Sequence, residues 1–264
     1  MSTTDQFLMS LQAYQEVQAE CRPPQETAVF VAPDPVNERP VSPGSLLLGI
    51  DDNGLPLTFD LFDPTPGALL VAGDDGCGKT SFLRSLAFSS DSLPDVQFGV
   101  ITPFPEEWSL PETLPACLGI WPSYHPSAAG FLEQLLSWAE VLPDTRQAIL
   151  LFVDGLDLMT LDKSTWHALR CLLANGSQVQ LWPVVSINPG RNAQLSPIMK
   201  YFQTRIFGRT RRSRPDWLLV DGPQGNLSTL LPGRQYFLSS PQRSLRFWIS
   251  QTDGGSYECR NALV

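Results

Sequence analysis

Residues 68–80 read Ala-Leu-Leu-Val-Ala-Gly-Asp-Asp-Gly-Cys-Gly-Lys-Thr, and this stretch restricts the fold more than any other in the chain. Ala68 to Ala72 is an apolar run of the length of a buried strand. Gly73-Asp74-Asp75-Gly76-Cys77-Gly78-Lys79-Thr80 then satisfies G-x-x-x-x-G-K-[ST] at every fixed position. Phe82, Leu83, Leu86, Ala87 and Phe88 follow at helical spacing. Strand, glycine loop and helix arrive in the order that a phosphate-binding loop requires. The glycines let the backbone curl so that its N–H groups point at phosphate oxygens. The start of the helix adds the positive end of its dipole. In such a loop Lys79 reaches the β- and γ-phosphates of a nucleoside triphosphate and the Thr80 hydroxyl ligates Mg²⁺. Ser81 closes the candidate binding segment Gly73–Ser81.

A second apolar run, Ala148 to Val153, ends on Asp154. After a phosphate loop, an apolar strand ending in aspartate reads as the ligand of a Mg²⁺-bound water; taken alone it is equally a turn or helix-capping aspartate. The separation of 75 positions from Lys79 to Asp154 leaves room for strand-helix units, so the two sites can lie on neighbouring strands. Val179 to Ile187 is a further strand, ending at Asn188. A polar side chain there senses the γ-phosphate or orients the attacking water, although Asn188-Pro189-Gly190 is also turn chemistry.

The rest of the chain fits an α/β arrangement. Phe7, Leu8, Leu11, Tyr14 and Val17 space as an amphipathic helix, and six prolines between residues 22 and 44 make an extended arm, so residues 1–40 separate from a main domain over 41–264. Ser45 to Ile50 and Leu55 to Leu61 flank Asn53-Gly54 as a β-hairpin. Val96 to Ile101 is a strand, and 102–127, rich in proline and aromatics, is an irregular excursion. Phe131 to Trp138 and Trp166 to Leu173 are helical, the latter stopping at Asn175-Gly176. Ala193 to Phe202 is helical. Arg205 to Gly208, Trp217 to Val220, Gln235 to Leu238 and Leu245 to Ile249 are strands.

Net charge is −9, which excludes a chain that is basic throughout. The charge is nonetheless uneven. Residues 1–199 hold 8 basic and 23 acidic side chains, whereas residues 200–264 hold 10 and 4. The basic C-terminal region is a candidate contact for DNA or a second subunit, or it folds back on acidic surface of the same chain. Five cysteines at no metal-ligand spacing fit a reducing cytoplasm. Cys77 sits where Lys79 and loop N–H groups would lower its pKa, either as loop filler or as a redox switch. No apolar run reaches the length of a membrane span, and the N-terminus lacks the basic start of a signal peptide.

The order of these motifs resembles the FtsK/SpoIIIE and HerA family of DNA-pumping ATPases. Ser45-Leu-Leu-Leu-Gly-Ile-Asp with Gly54-Leu-Pro-Leu is similar to that family's opening hairpin. Leu69 to Leu86 resembles its phosphate loop and first helix. Leu151-Phe-Val-Asp154-Gly155-Leu-Asp157-Leu-Met159 resembles its second nucleotide motif, and Pro183 to Arg191 its next strand. Phe202-Gln-Thr-Arg205-Ile206 and Leu231-Pro232-Gly233-Arg234 are similar to its late motif and last loop. The resemblance spans roughly residues 41–240.

It implies a RecA-like P-loop NTPase: a three-layer domain with a mainly parallel sheet, an N-terminal β-hairpin and C-terminal antiparallel strands. It also implies ATP with Mg²⁺ and assembly as a homo-oligomeric ring, hexameric in the family's manner, or as part of a larger motor. Lys79, Asp154, Asp157, Asn188 and Arg205 are then the catalytic candidates, and Thr80 and Asp154 the metal ligands. Arg205, or the Arg209–Arg214 cluster, is placed to complete a neighbour's ATP site; the cluster reads equally as a solvated strand edge. The family's second motif usually reads Asp-Glu, with the Glu activating water, and Gln is common where this chain has Asn188. Here the pair is Asp154-Gly155. Glycine accepts no proton, so nucleotide binding with slow or absent hydrolysis is expected unless Asp157 substitutes. The alternative is a non-catalytic ATP-sensing scaffold.

Overall fold

The computed structural model describes residues 44–140, 147–191, 193–210 and 226–249. The N-terminal helix and proline-rich arm and the strand expected at Trp217 to Val220 lie outside the described residues, as do Arg211, Arg212 and Arg214.

Among the described residues, ten strands form one sheet: β1 (Ser45–Asp51), β2 (Pro56–Asp60), β3 (Leu69–Ala72), β4 (Val96–Thr102), β5 (Cys117–Pro122), β6 (Ala148–Val153), β7 (Leu181–Ile187), β8 (Thr204–Phe207), β9 (Gln235–Ser239) and β10 (Ser244–Trp248). Their spatial order is β2-β1-β10-β9-β8-β3-β7-β6-β4-β5. From β8 to β5 every pairing is parallel; from β8 to β2 every pairing is antiparallel. The α-helices of the described residues cover it: α1 (Lys79–Asp91), α2 (Pro126–Glu140) and α3 (Lys163–Asn175).

The unbroken apolar runs are explained by burial on both faces. On β6, Ile149, Leu151 and Val153 face the core made with α2 and α3. The alternating Ala148, Leu150 and Phe152 face the core made with α1. β3 divides likewise, with Leu70 and Ala72 on the first side and Leu69 and Val71 on the other. This is the three-layer, mainly parallel architecture with an antiparallel extension that the sequence implied.

The extension is fastened through aromatic side chains. The Trp182 indole N–H, on β7, donates to the Leu61 carbonyl beyond the hairpin at 3.0 Å, and its ring meets Phe59 edge-on at 4.9 Å. Phe82 on α1 lies 4.9 Å from the Tyr236 ring and 6.0 Å from Phe247. One helix side chain thus joins the phosphate-loop helix to β9 and β10.

Three expectations change. Asp154 and the phosphate loop do not lie on neighbouring strands: β7 inserts between β3 and β6. The excursion at 102–127 contains an edge strand, β5, whose Trp121 stacks on Phe131 of α2. Its Gly119 and Pro122 and its partial exposure hide it from a pattern search. Residues Ala193–Tyr201 form 3-10 rather than α-helix, with Pro197 inside; a proline there lacks the N–H and crowds the preceding turn.

Phe82 is wholly buried at this junction. Phe82→Ala is expected to cost about 3–5 kcal/mol of stability, read from chemical denaturation midpoints.

Candidate nucleotide-binding site

β3 delivers the chain at the carboxyl edge of the parallel strands, and the loop turns back into α1. Gly73 N–H donates to the Ile187 carbonyl at the end of β7 (3.2 Å), and Asp74 N–H to the Arg209 carbonyl beyond β8 (3.1 Å). The loop is therefore pinned to both strands that flank β3. From a third side, the Gly233 N–H donates to the Cys77 carbonyl (2.9 Å) and the Tyr236 hydroxyl to the Gly78 carbonyl (2.7 Å). Gly78 has φ +95°, and a Cβ there would lie 2.5 Å from Gly233 Cα, so both conformation and close approach demand glycine. The Lys79 ammonium folds back across the loop and donates to the carbonyls of Gly73 (3.0 Å) and Asp74 (3.1 Å).

Asp154, just past β6, is 6% exposed. Its Oδ1 accepts from Ser186 Oγ on β7 at 2.6 Å, and its Oδ2 accepts from the Trp108 indole N–H at 3.2 Å. Ser186 Oγ also accepts the Gly155 N–H at 2.8 Å. Gly155 itself has φ +81°, so the residue that the family's pattern would place there as Glu sits in a left-handed turn.

Asp157 lies on the next short 3-10 turn, Leu156–Leu158. Its Oδ1 accepts the Asn188 N–H at 2.8 Å, and its Oδ2 stands 3.8 Å from Arg191 Nη1. Burial pushes its carboxyl pKa up. Arg191 Nη2 also pairs with Asp75 Oδ2 in the phosphate loop at 2.5 Å. The Asn188 side chain, then Arg191 and Lys79, lower the Asp75 carboxyl; the Asn188 Oδ1 accepts from Gly190 N–H at 3.0 Å. Asp75, Arg191, Asp157 and Asn188 thus tie the loop to the tips of β6 and β7.

A cavity of about 710 Å³ opens between these parts. Lys79, Thr80, Ser81, Asp154, Asp157 and Asn188 line it together. A smaller cavity of about 490 Å³ borders Asp74, Asp75, Gly76, Cys77 and Arg209. The structure therefore brings together all the expected nucleotide-site side chains except Arg205. That side chain is buried, and its guanidinium donates to its own chain's Phe202 (3.1 Å) and Met199 (3.0 Å) carbonyls. These bonds brace the 3-10 segment. Cys77 also departs from expectation: burial raises its thiol pKa, with Lys79 opposing, because its Sγ is wedged beneath Gly73 and Gly208.

Sequence reasoning missed Glu107, Trp108, Ser186 and Tyr236, and met Arg191 only as part of a motif. Trp108 and Glu107 sit on the turn Pro105–Trp108 after β4. Ligands of open parallel sheets bind outside the carboxyl ends of the strands, so acidic residues soon after each predicted strand were a usable signal. Glu107 lines the larger cavity. Burial, then the nearby Asp154 and Glu106, raise its carboxyl pKa, while Arg84 and Thr80 lower it.

No protein-family profile matches the chain. Among curated proteins, the magnesium-chelatase subunit ChlI of Oryza sativa subsp. japonica is 36% identical over 78 residues, which are 30% of this chain and 18% of that protein. The Synechocystis subunit ChlI is 34% identical over 88 residues, 33% of this chain and 24% of that protein. The chain thus spans less than a quarter of these curated relatives. Among solved structures, EssC (ATPases 2 and 3) from Geobacillus thermodenitrificans superposes with a TM-score of 0.65 at 12% identity, covering 81% of this chain and 46% of that one. Thermomonospora curvata EccC (ATPases 2 and 3), in complex with a signal sequence peptide, gives 0.61 at 17%, covering 79% and 40%. The pCW3 conjugation coupling protein TcpA with ATPγS gives 0.61 at 14%, covering 80% and 67%. The fold is that of RecA-like P-loop ATPase domains.

The wedged position of Cys77 is testable. Cys77→Ser is expected to leave the thiols titrated by Ellman's reagent in native protein unchanged, and to lower the count by one in denaturant.

Proposed function

We propose that the chain is an ATP-binding RecA-like domain that works in an oligomeric assembly translocating a polymer, DNA or polypeptide. The observation that carries the nucleotide reading is the convergence of Lys79, Thr80, Asp154 and Asn188 on one cavity beside a glycine loop pinned from three sides. Lys79 balances phosphate charge, and the loop amides and the start of α1 cradle the phosphates.

Mg²⁺ fits the donor set. The Thr80 hydroxyl and Asp154 carboxylate line the same cavity, and each Asp154 oxygen accepts one protein hydrogen bond, leaving lone pairs for a metal-bound water. A Mg²⁺ site of this kind relies mainly on phosphates and water, with few protein ligands. When bound, Mg²⁺ neutralises developing phosphate charge.

The oligomer reading is supported by Phe104 and Leu158, exposed apolar side chains on the wall of the nucleotide cavity, which a second subunit seated there would cover. The translocation reading is supported by fold neighbours named as a conjugation coupling protein and a type VII secretion ATPase. Asp154-Gly155 instead favours a nucleotide-sensing scaffold, if no other carboxylate serves the attacking water. None of the helices among the described residues is long and apolar enough to cross a membrane.

Lys79→Ala is expected to weaken binding of a fluorescent ATP analogue at least about 100-fold; unchanged affinity would remove the nucleotide reading. Light scattering with ATP and Mg²⁺ should show a shift to a mass of several subunits, and a monomer under every nucleotide condition would remove the ring.

A further inference from the structure

Four carboxylates line the larger cavity: Asp75, Glu107, Asp154 and Asp157. Two are committed and a third is enclosed. Asp75 pairs with Arg191 on the loop side. Asp154 is buried and accepts from Ser186 and Trp108. Asp157 has a side chain only 2% exposed; its Oδ1 holds the Asn188 N–H, and its Oδ2 is enclosed without a hydrogen-bond partner, 3.8 Å from Arg191 Nη1. Position 155, where the family's pattern supplies the water-activating carboxylate, is a glycine in a left-handed turn.

Glu107 differs from all three. It is exposed at the cavity, beside the Thr80 side chain and within electrostatic reach of Arg84 on α1. Its placement follows from the sheet. β4 pairs with β6 in parallel, with Ile101 opposite Val153, and the Asp154 N–H donates to the Ile101 carbonyl at 2.9 Å. The turn after β4 therefore emerges at the same edge as Asp154. Trp108, the next residue, is wholly buried and bonded to Asp154. Glu107 N–H donates to the Phe104 carbonyl at 3.2 Å. A buried indole anchored on the aspartate fixes the turn that carries the glutamate.

We infer that Glu107 is the proton acceptor for the water that attacks the γ-phosphate, supplied from the turn after β4 in place of a carboxylate at position 155. The inference rests on the nucleotide-binding reading above. In this step the water oxygen bonds to the γ-phosphorus while the bond from that phosphorus to the β–γ bridging oxygen breaks. The bridging oxygen leaves on ADP with the electron pair. The water proton passes to the Glu107 carboxylate and then to solvent as phosphate departs.

The test uses the full chain with ATP and Mg²⁺, comparing wild type, Lys79→Ala, Glu107→Gln and Glu107→Asp. Wild type should bind ATP and release phosphate. Glu107→Gln should keep its affinity for a fluorescent ATP analogue within about threefold and lose turnover at least about 100-fold, the scale of a removed general base. Nucleotide recovered from Glu107→Gln after incubation should be ATP, whereas wild type should yield ADP. Glu107→Asp should retain more turnover than the glutamine variant. Undiminished phosphate release in Glu107→Gln overturns the inference, and so does wild type that binds ATP without turnover, which leaves the nucleotide reading standing. Wild type with no affinity for ATP removes that reading and this inference together.

Discussion

The structure depends on how the carbonyl side of the phosphate loop is held. A glycine loop directs N–H groups at phosphate only if its carbonyls are satisfied elsewhere. Here the antiparallel arm supplies two of the donors: Gly233 N–H holds the Cys77 carbonyl and Tyr236 hydroxyl holds the Gly78 carbonyl. Phe82, one turn further along α1, packs against the same Tyr236 with ring centroids 4.9 Å apart. The arm is thus more than an appendage to a parallel sheet, because it forms the outer wall of the loop. A displaced β9 would release both the loop and the first turn of its helix, which gives a route by which contacts on the arm can alter nucleotide affinity.

The second hub is Asp154. Its two oxygens join the tip of β6 to β7 through Ser186 and to the turn after β4 through Trp108. With Arg191 spanning Asp75 and Asp157, every strand tip around the cavity is linked to another by a charged or polar side chain. Preorganisation of this kind is what phosphoryl transfer asks of a protein, since the chemistry is mostly positioning and charge stabilisation.

Much of the fold was legible because the parallel strands are buried on both faces and read as unbroken apolar runs, as in Ala148 to Val153. Lys79, Thr80 and Asp154 were legible because strand-loop-helix order restricts where they fall. The strand order was not, since sequence separation between Lys79 and Asp154 says nothing about β7 passing between them. β5 escaped because edge strands carry no clean alternation. The direction of Arg205 was not legible: an arginine on a short strand gives no sign of which way it points, and here it donates to main-chain carbonyls of its own chain. Cys77 was misread because the electrostatic pull of Lys79 was weighed without the burial that outweighs it. Glu107 was passed over inside a proline-rich segment that showed no periodic pattern.

The account turns on where a triphosphate sits relative to Lys79 and the β4 turn. A crystal structure of the chain with a non-hydrolysable ATP analogue and Mg²⁺ tests this most directly. The account predicts phosphates within the loop of residues 73–80, with the Lys79 ammonium moved from the Gly73 and Asp74 carbonyls to phosphate oxygens and the Glu107 carboxylate facing the γ-phosphate. A nucleotide bound elsewhere, or Lys79 still on those carbonyls beside bound phosphates, would contradict it.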